Sequence, residues 1–159
     1  MVEWLTEVSP ARWVADPSTP SPWGSPPAEE RTVLVDLLRP HTTTPDRCWL
    51  AAWEGSGVDD GGVDARLELP NRSYLLAGGS VELASASVLP RPMDQSYNLW
   101  WPEDRAWFVS TEVDYAWTYV GGTRALVDEL LVDGRLEVLE ARLTDRPFYD
   151  SDVLNAALS

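Results

Sequence analysis

Two periodicities organise the chain. Val33, Leu34, Leu37 and Leu38 repeat at helical spacing behind Ser25-Pro26-Pro27-Ala28-Glu29-Glu30. A serine cap, first-turn prolines and early carboxylates suit the positive end of a helix dipole. Pro40 ends this helix near Arg39, because the residue before a proline avoids the α region. A second helix is expected after Gly121-Gly122, with Thr123 as cap, Leu126, Val127, Leu130 and Leu131 as its apolar stripe and Gly134 as its stop. Strand-length runs show the other periodicity. In Cys48–Glu54, Trp49, Ala51 and Trp53 share one face and Cys48, Leu50 and Ala52 the other, so both faces are apolar and the strand is expected to be central. Arg72–Ala77 reads as a second strand, and Arg135–Leu143 as a last one that alternates at Leu136 and Val138. Val81–Val88 fits a short helix or a strand equally well.

The densest aromatic stretch is Tyr97–Gly122, which holds Trp100, Trp101, Trp107 and Trp117 of the nine tryptophans. It reads as a hairpin followed by a third strand at Tyr115–Val120. With Pro102 at the second position of a type I turn, Pro102–Arg105 would form the loop. Trp101 would then lie opposite Ala106, Trp100 opposite Trp107 and Leu99 opposite Phe108. Trp100, Trp107 and Val109 fall on one face, and Leu99, Trp101 and Phe108 on the other. Together these elements predict an α+β fold, mainly an antiparallel sheet of about 5–6 strands with two main helices packed on it.

The organisation expected around that domain is simple. Residues 1–28 form a proline-rich arm, 29–143 a single α+β domain and 144–159 a tail with a short helix from Asp152 to Leu158. Pro10, Pro17, Pro20, Pro22, Pro26 and Pro27 argue against a helix or central strand in the arm. Trp4, Trp13 and Trp23 are expected to pin it to the body, with one short turn near Val2–Glu7.

Charge narrows the partners. A net charge of −14 and a pI of about 4.2 repel nucleic acid and anionic membrane surfaces; the acidity either serves solubility alone or steers the protein toward a basic protein partner. All twelve basic residues are arginine. No uncharged apolar run approaches the ~18 residues of a membrane span, and the first residues lack the basic and apolar regions of a secretion signal. The expected location is the cytoplasm. A single cysteine, Cys48, leaves no internal disulfide.

Two stretches resemble segments of uncharacterised actinobacterial proteins: His41-Thr42-Thr43-Thr44-Pro45-Asp46-Arg47-Cys48-Trp49 and Asn98-Leu99-Trp100-Trp101-Pro102-Glu103-Asp104-Arg105-Ala106-Trp107. The resemblance spans residues 30 to 142 and implies no activity.

Candidate chemistry is sparse. His41 and Cys48 could work as a nucleophilic pair only in hydrogen-bond contact, and Cys48 reads as a buried strand residue. Glu112 and Asp114 would share a face of a straight strand, the basis for a carboxylate-dependent hydrolase. Asp59, Asp60 and Asp64 cluster in a glycine-rich loop but lack the calcium-loop spacing, so no metal is expected. No other cofactor is expected either. Gly121-Gly122-Thr123-Arg124 has the layout of an anion site at a helix start, or of a capped helix in which Arg124 pairs with Asp128. The aromatic residues Trp100, Trp107, Trp117 and Tyr119 either fill the core of a small α+β fold or offer a platform for a sugar or a partner. The leading expectation is a small acidic, non-enzymatic interaction protein of inhibitor or immunity type. The alternatives are a small-ligand or carbohydrate binder and the hydrolase.

Overall fold

The computed structural model describes residues 24–59, 61–62, 64–89, 94–115 and 117–145, together with the backbone of 4–9. In chain order the elements are β1 (Trp4–Ser9), α1 (Ala28–Leu38), β2 (Cys48–Trp53), β3 (Arg66–Leu69), β4 (Arg72–Gly79), β5 (Leu99–Pro102), β6 (Phe108–Thr111), β7 (Thr118–Gly122), α2 (Arg124–Val132) and β8 (Glu137–Ala141). The strands form one eight-stranded sheet in the order β3-β4-β2-β5-β6-β7-β1-β8, and every neighbouring pair is antiparallel. The α+β class expected from the sequence is therefore present. The six strands read from the apolar runs all occur, and β1 and β3 extend the sheet.

β2 lies inside the sheet, as its apolar run implied, with a strand on each edge. It is bonded to β4 and β5, with Leu50 opposite Ala77 on one side and Trp100 on the other. Both helices lie over one face. Beneath them Leu34, Leu38, Cys48, Leu50, Trp100, Trp107, Val109, Val120, Leu126 and Leu130 form a single buried cluster. Trp100 and Trp107 are its largest side chains and are 0% and 1% exposed. Their indole N–H groups meet no acceptor among the described residues, and neither does that of Trp117. An unpaired buried donor costs about 1–3 kcal/mol, so the apolar burial of these rings must outweigh it.

Several expectations are corrected. Residues 4–9 form neither a turn nor an arm outside the sheet. They insert as β1 between β7 and β8, with Leu5 opposite both Gly121 and Ala141. The prolines that argued against a strand begin only at Pro10, and Trp4–Ser9 keeps every backbone donor. β7 and β8 both run antiparallel to β1, so they are parallel to each other, and α2 is the crossover between them.

The hairpin register is shifted by two residues from the expected one, with Trp100 opposite Val109 and Leu99 opposite Ser110. Pro102 takes the first turn position rather than the second, since the Arg105 N–H donates to its carbonyl at 2.9 Å. Arg105 then adopts φ 57, a left-handed residue of the kind that follows a type I turn in longer hairpin loops. A shift of two preserves sidedness, so the expected division into two aromatic faces stands.

Smaller corrections concern the helix ends. Ser25 is not the cap of α1; Pro27 holds that position without a side-chain bond. The Ser25 hydroxyl turns inward instead, donating to Ser96 Oγ at 2.9 Å. It meets the buried Arg31 guanidinium, which donates to the carbonyls of Pro26 and Ser85 and pairs with Asp94 at 2.8 Å. This polar knot ties α1 to the approach to β5. Val81–Ser85 settles as a short 3-10 turn. Gly121 and Gly122 belong to β7 rather than opening α2. A Cβ on Gly122 would lie 2.5 Å from Leu126 Cδ2 and 3.5 Å from the Trp107 Cβ, so the glycine lets the helix sit close to the sheet. The arm at Trp13 and Trp23 and the tail helix at 152–158 lie outside the described residues.

β1 leads to a direct test. A chain starting at Pro10 leaves β8 with no neighbour and β7 with an uncovered edge. It is expected to lose cooperative urea unfolding and near-ultraviolet circular dichroism, whereas an outboard arm would be removed with little effect.

Candidate functional site

The helices cover one face of the sheet, and the strand register builds the opposite face. Along one row, Gly78 of β4, Trp49 of β2 and Trp101 of β5 are successive cross-strand partners. Trp101 stacks on Phe108 of β6, with ring centroids 5.7 Å apart, and Phe108 pairs with Gly121 of β7. Three aromatic rings thus lie side by side between two glycines. The Trp49 ring leans over Gly78, where a Cβ would come 3.9 Å from the indole. The next row holds Leu76, Ala51, Leu99, Ser110 and Tyr119. Ala51, Leu99 and Tyr74 are buried there among Trp53, Leu67, Leu76 and Trp101. Trp49 and Phe108 remain 38% and 37% exposed. Aromatic rings in this partly wet position are the usual anchors of an interface.

Charged groups frame the row at both ends of the strands. At one end the Trp49 indole N–H donates to Glu103 Oε2 at 3.0 Å. At the other, the Arg72 guanidinium lies 5.0 Å above the Trp53 ring and bridges Glu112 and Asp114. Arg72 is placed there by the two-residue turn at Pro70-Asn71, in which Asn71 takes φ 68.

The corner beside Glu103 is held by one carboxylate. Asp104 accepts from Thr42 Oγ1 at 2.8 Å, from both Thr43 N–H and Thr43 Oγ1 at 2.7 Å, and from Ala106 N–H at 3.1 Å. In return its own N–H donates to Thr44 Oγ1 at 3.1 Å, and the Glu103 N–H donates to the Arg47 carbonyl at 2.8 Å. The threonine loop before β2 is thereby bound to the turn after β5. Burial alone would raise the Asp104 pKa, but the bonds from Thr43, Thr42 and Ala106 together outweigh it and hold the carboxyl below its ordinary value.

The residues singled out in the sequence are not brought together. Trp100 and Trp107 lie under the helices and offer no ring face to solvent. Trp117 is half-buried and stacks on Tyr115 at 4.5 Å. Tyr119 lies half-buried on the opposite, helix-free face of the sheet, which carries no α-helix among the described residues. Arg124 pairs with Asp128 at 2.8 Å and Glu140 at 2.7 Å, and Thr123 caps α2 by accepting from the Leu126 N–H. That helix start is thus occupied by the protein's own groups. Glu112 and Asp114 do meet, but through the Arg72 cation. His41 Nε2 contacts Glu129 Oε2 at 2.7 Å, while the Cys48 thiol faces the Thr44 and Pro45 carbonyls. Burial first, then the Asp104 and Asp46 charges, push that thiol up to about 11, so it is protonated at neutral pH and a poor nucleophile. Among the described residues no histidine, cysteine and carboxylate cluster has the makings of a metal site. No helix among them is long and apolar enough to cross a membrane.

The exposed row itself was missed by local reading. Alternation gives Trp49 and Trp101 each a face, but only the β2–β5 pairing makes them neighbours. No protein-family model matches the chain, and neither do any curated protein or solved structure.

The Asp104 corner predicts a pH-dependent defect. Asp104→Asn removes the charge from four hydrogen bonds in a partly solvated setting, so urea titration at pH 7 should show a loss of about 1–2 kcal/mol. Because the folded carboxyl is depressed, its contribution is complete above the ordinary value of 3.8 and fades as pH falls through the lower folded value. The gap between wild type and variant should therefore close in acid. A constant gap from pH 7 to pH 2 would contradict the assignment.

Proposed function

We propose that the protein is a non-catalytic interaction module that docks a basic protein partner, in the cytoplasm, on the helix-free face of its sheet. The observation that carries this reading is the aromatic row Trp49–Trp101–Phe108, in which two rings are more than a third exposed on rigid, paired strands. Aromatic anchors on a preorganised surface bind with little ordering cost. Glu103 stands at one end of the strands that carry the row, Glu112 and Asp114 at the other, and the chain as a whole carries −14. An acidic rim around an apolar centre selects a basic partner and speeds its encounter.

The other readings have less support. A sugar platform built on Trp100, Trp107 and Trp117 would need two rings that are buried and a third that stacks on Tyr115. A hydrolase built on Glu112 and Asp114 would need carboxylates available for proton transfer, and both are bridged by Arg72. An inhibitor or immunity role is the form of docking that best suits a small acidic domain.

The test is capture from native lysate at low and high salt by wild type and by a Trp49→Thr, Phe108→Thr double variant, which keeps strand propensity while removing the exposed rings. The reading predicts a salt-sensitive set of basic proteins that the variant retains poorly. Equal retention by a variant that unfolds like wild type would refute it.

A further inference from the structure

The helix-free face contains a cation-holding arrangement that the chain fills itself. Trp53 of β2 has the Arg72 guanidinium over its ring, with Cζ 5.0 Å from the centroid, and the same group is gripped by Glu112 and Asp114. Aromatic face, planar cation and carboxylate together form a complete unit. The ring quadrupole attracts the cation, and the carboxylate accepts its N–H groups.

A ring and an acid also lie together four residues earlier on the same face of the same strand, here in direct contact. Trp49 exposes 38% of its surface, and its Nε1–H holds Glu103 Oε2 at 3.0 Å, fixing a carboxylate at the edge of the indole. Glu103 is itself anchored by its backbone, whose N–H donates to the Arg47 carbonyl at 2.8 Å. Arg47 and Arg105 flank this corner in sequence, yet among the described residues no arginine lies over the Trp49 ring or forms an ion pair with Glu103.

We propose that Trp49 and Glu103 receive an arginine side chain of the basic protein partner, reproducing between molecules what Trp53, Arg72, Glu112 and Asp114 make within one. This inference rests on the docking reading above and specifies its recognition chemistry. A guanidinium fits the place better than an ammonium. It is planar, lies flat on an indole, is weakly hydrated and presents several donors in one plane to the carboxylate at the ring edge. A lysine would feel the charge but would stack poorly. The net charge of −14 supplies long-range attraction for either cation, so the discrimination must come from the ring and the carboxylate fixed at its edge.

The experiment uses the full chain labelled with 15N at the tryptophan indoles. It is titrated at low salt with an arginine homopeptide and a lysine homopeptide of equal length. Glu103→Gln keeps an acceptor for the indole while removing the charge, and Trp49→Phe keeps an apolar ring while removing the indole. Glu29→Gln on α1 is the control for one unit of charge elsewhere. The arginine peptide should shift the Trp49 indole resonance and bind tighter than the lysine peptide. Glu103→Gln and Trp49→Phe should each weaken the arginine peptide by about three- to tenfold and shrink the preference over lysine, while Glu29→Gln should leave both unchanged. Peptide binding that leaves the Trp49 resonance still and is indifferent to Glu103→Gln would overturn the inference and leave the docking reading standing. Failure of both peptides to bind would contradict inference and reading alike.

Discussion

Leu50 opposite Trp100 on one side of the β2–β5 ladder, and Trp49 opposite Trp101 on the other, set the character of both faces of the sheet. Strand side chains alternate with period two, so a single register places one tryptophan pair member in the core and the other outside it. Trp100 goes under α1 and α2, where it is fully buried with Trp107, Leu34 and Leu126. Trp101 goes to the opposite face, beside Trp49 and Phe108. A slip of one residue would exchange these sets and expose the largest side chains of the core. The fold and the proposed docking surface are therefore two outcomes of one pairing.

That pairing is fastened at its end by the threonine loop. Cys48 opens β2 and Pro102 closes β5 directly opposite it, so the segments just outside the ladder meet. Asp104 collects Thr42, Thr43 and Ala106 there, and Thr44 returns a bond to the Asp104 backbone. The two sequence stretches with the most distinctive wording, His41–Trp49 and Asn98–Trp107, are the two halves of this one corner. The same corner presents Glu103 to Trp49, which links the register device to the surface proposed for binding. At the far end of the strands, Arg72 plays a comparable tying role between the β3–β4 hairpin and the loop that follows β6.

Much of the helical and strand content was legible because it depends on local spacing. The stripes Leu34–Leu38 and Leu126–Leu130 and the alternation of β2 needed no partner to be recognised. The sidedness of Trp100 against Trp101 was legible for the same reason. β1 was not, because its partners are distant: Trp4 pairs with Gly122, and nothing within six residues of ordinary polarity announces that pairing beside a run of prolines. The turn was misplaced because Asp104 is engaged by a loop some sixty residues earlier and Arg105 takes a left-handed conformation that the local sequence does not demand. The candidate site was legible only in pieces. Alternation puts Trp49 and Trp53 on a common face, but strand order decides which aromatics adjoin them, and strand order follows from long-range burial rather than local pattern. Likewise Arg31 reads as a surface residue of a helix, yet it is buried because Ser25, Asp94 and the Ser85 carbonyl converge on it.

The central claim, that Trp49 stays exposed on one face of the sheet while Trp100 and Trp107 are closed off on the other, is tested most directly by a soluble nitroxide added to the protein labelled with 15N at its tryptophan indoles. The account predicts strong relaxation broadening of the Trp49 indole signal and none for Trp100 and Trp107. Equal protection of Trp49 and Trp100, or broadening of Trp107 in the native state, would contradict it.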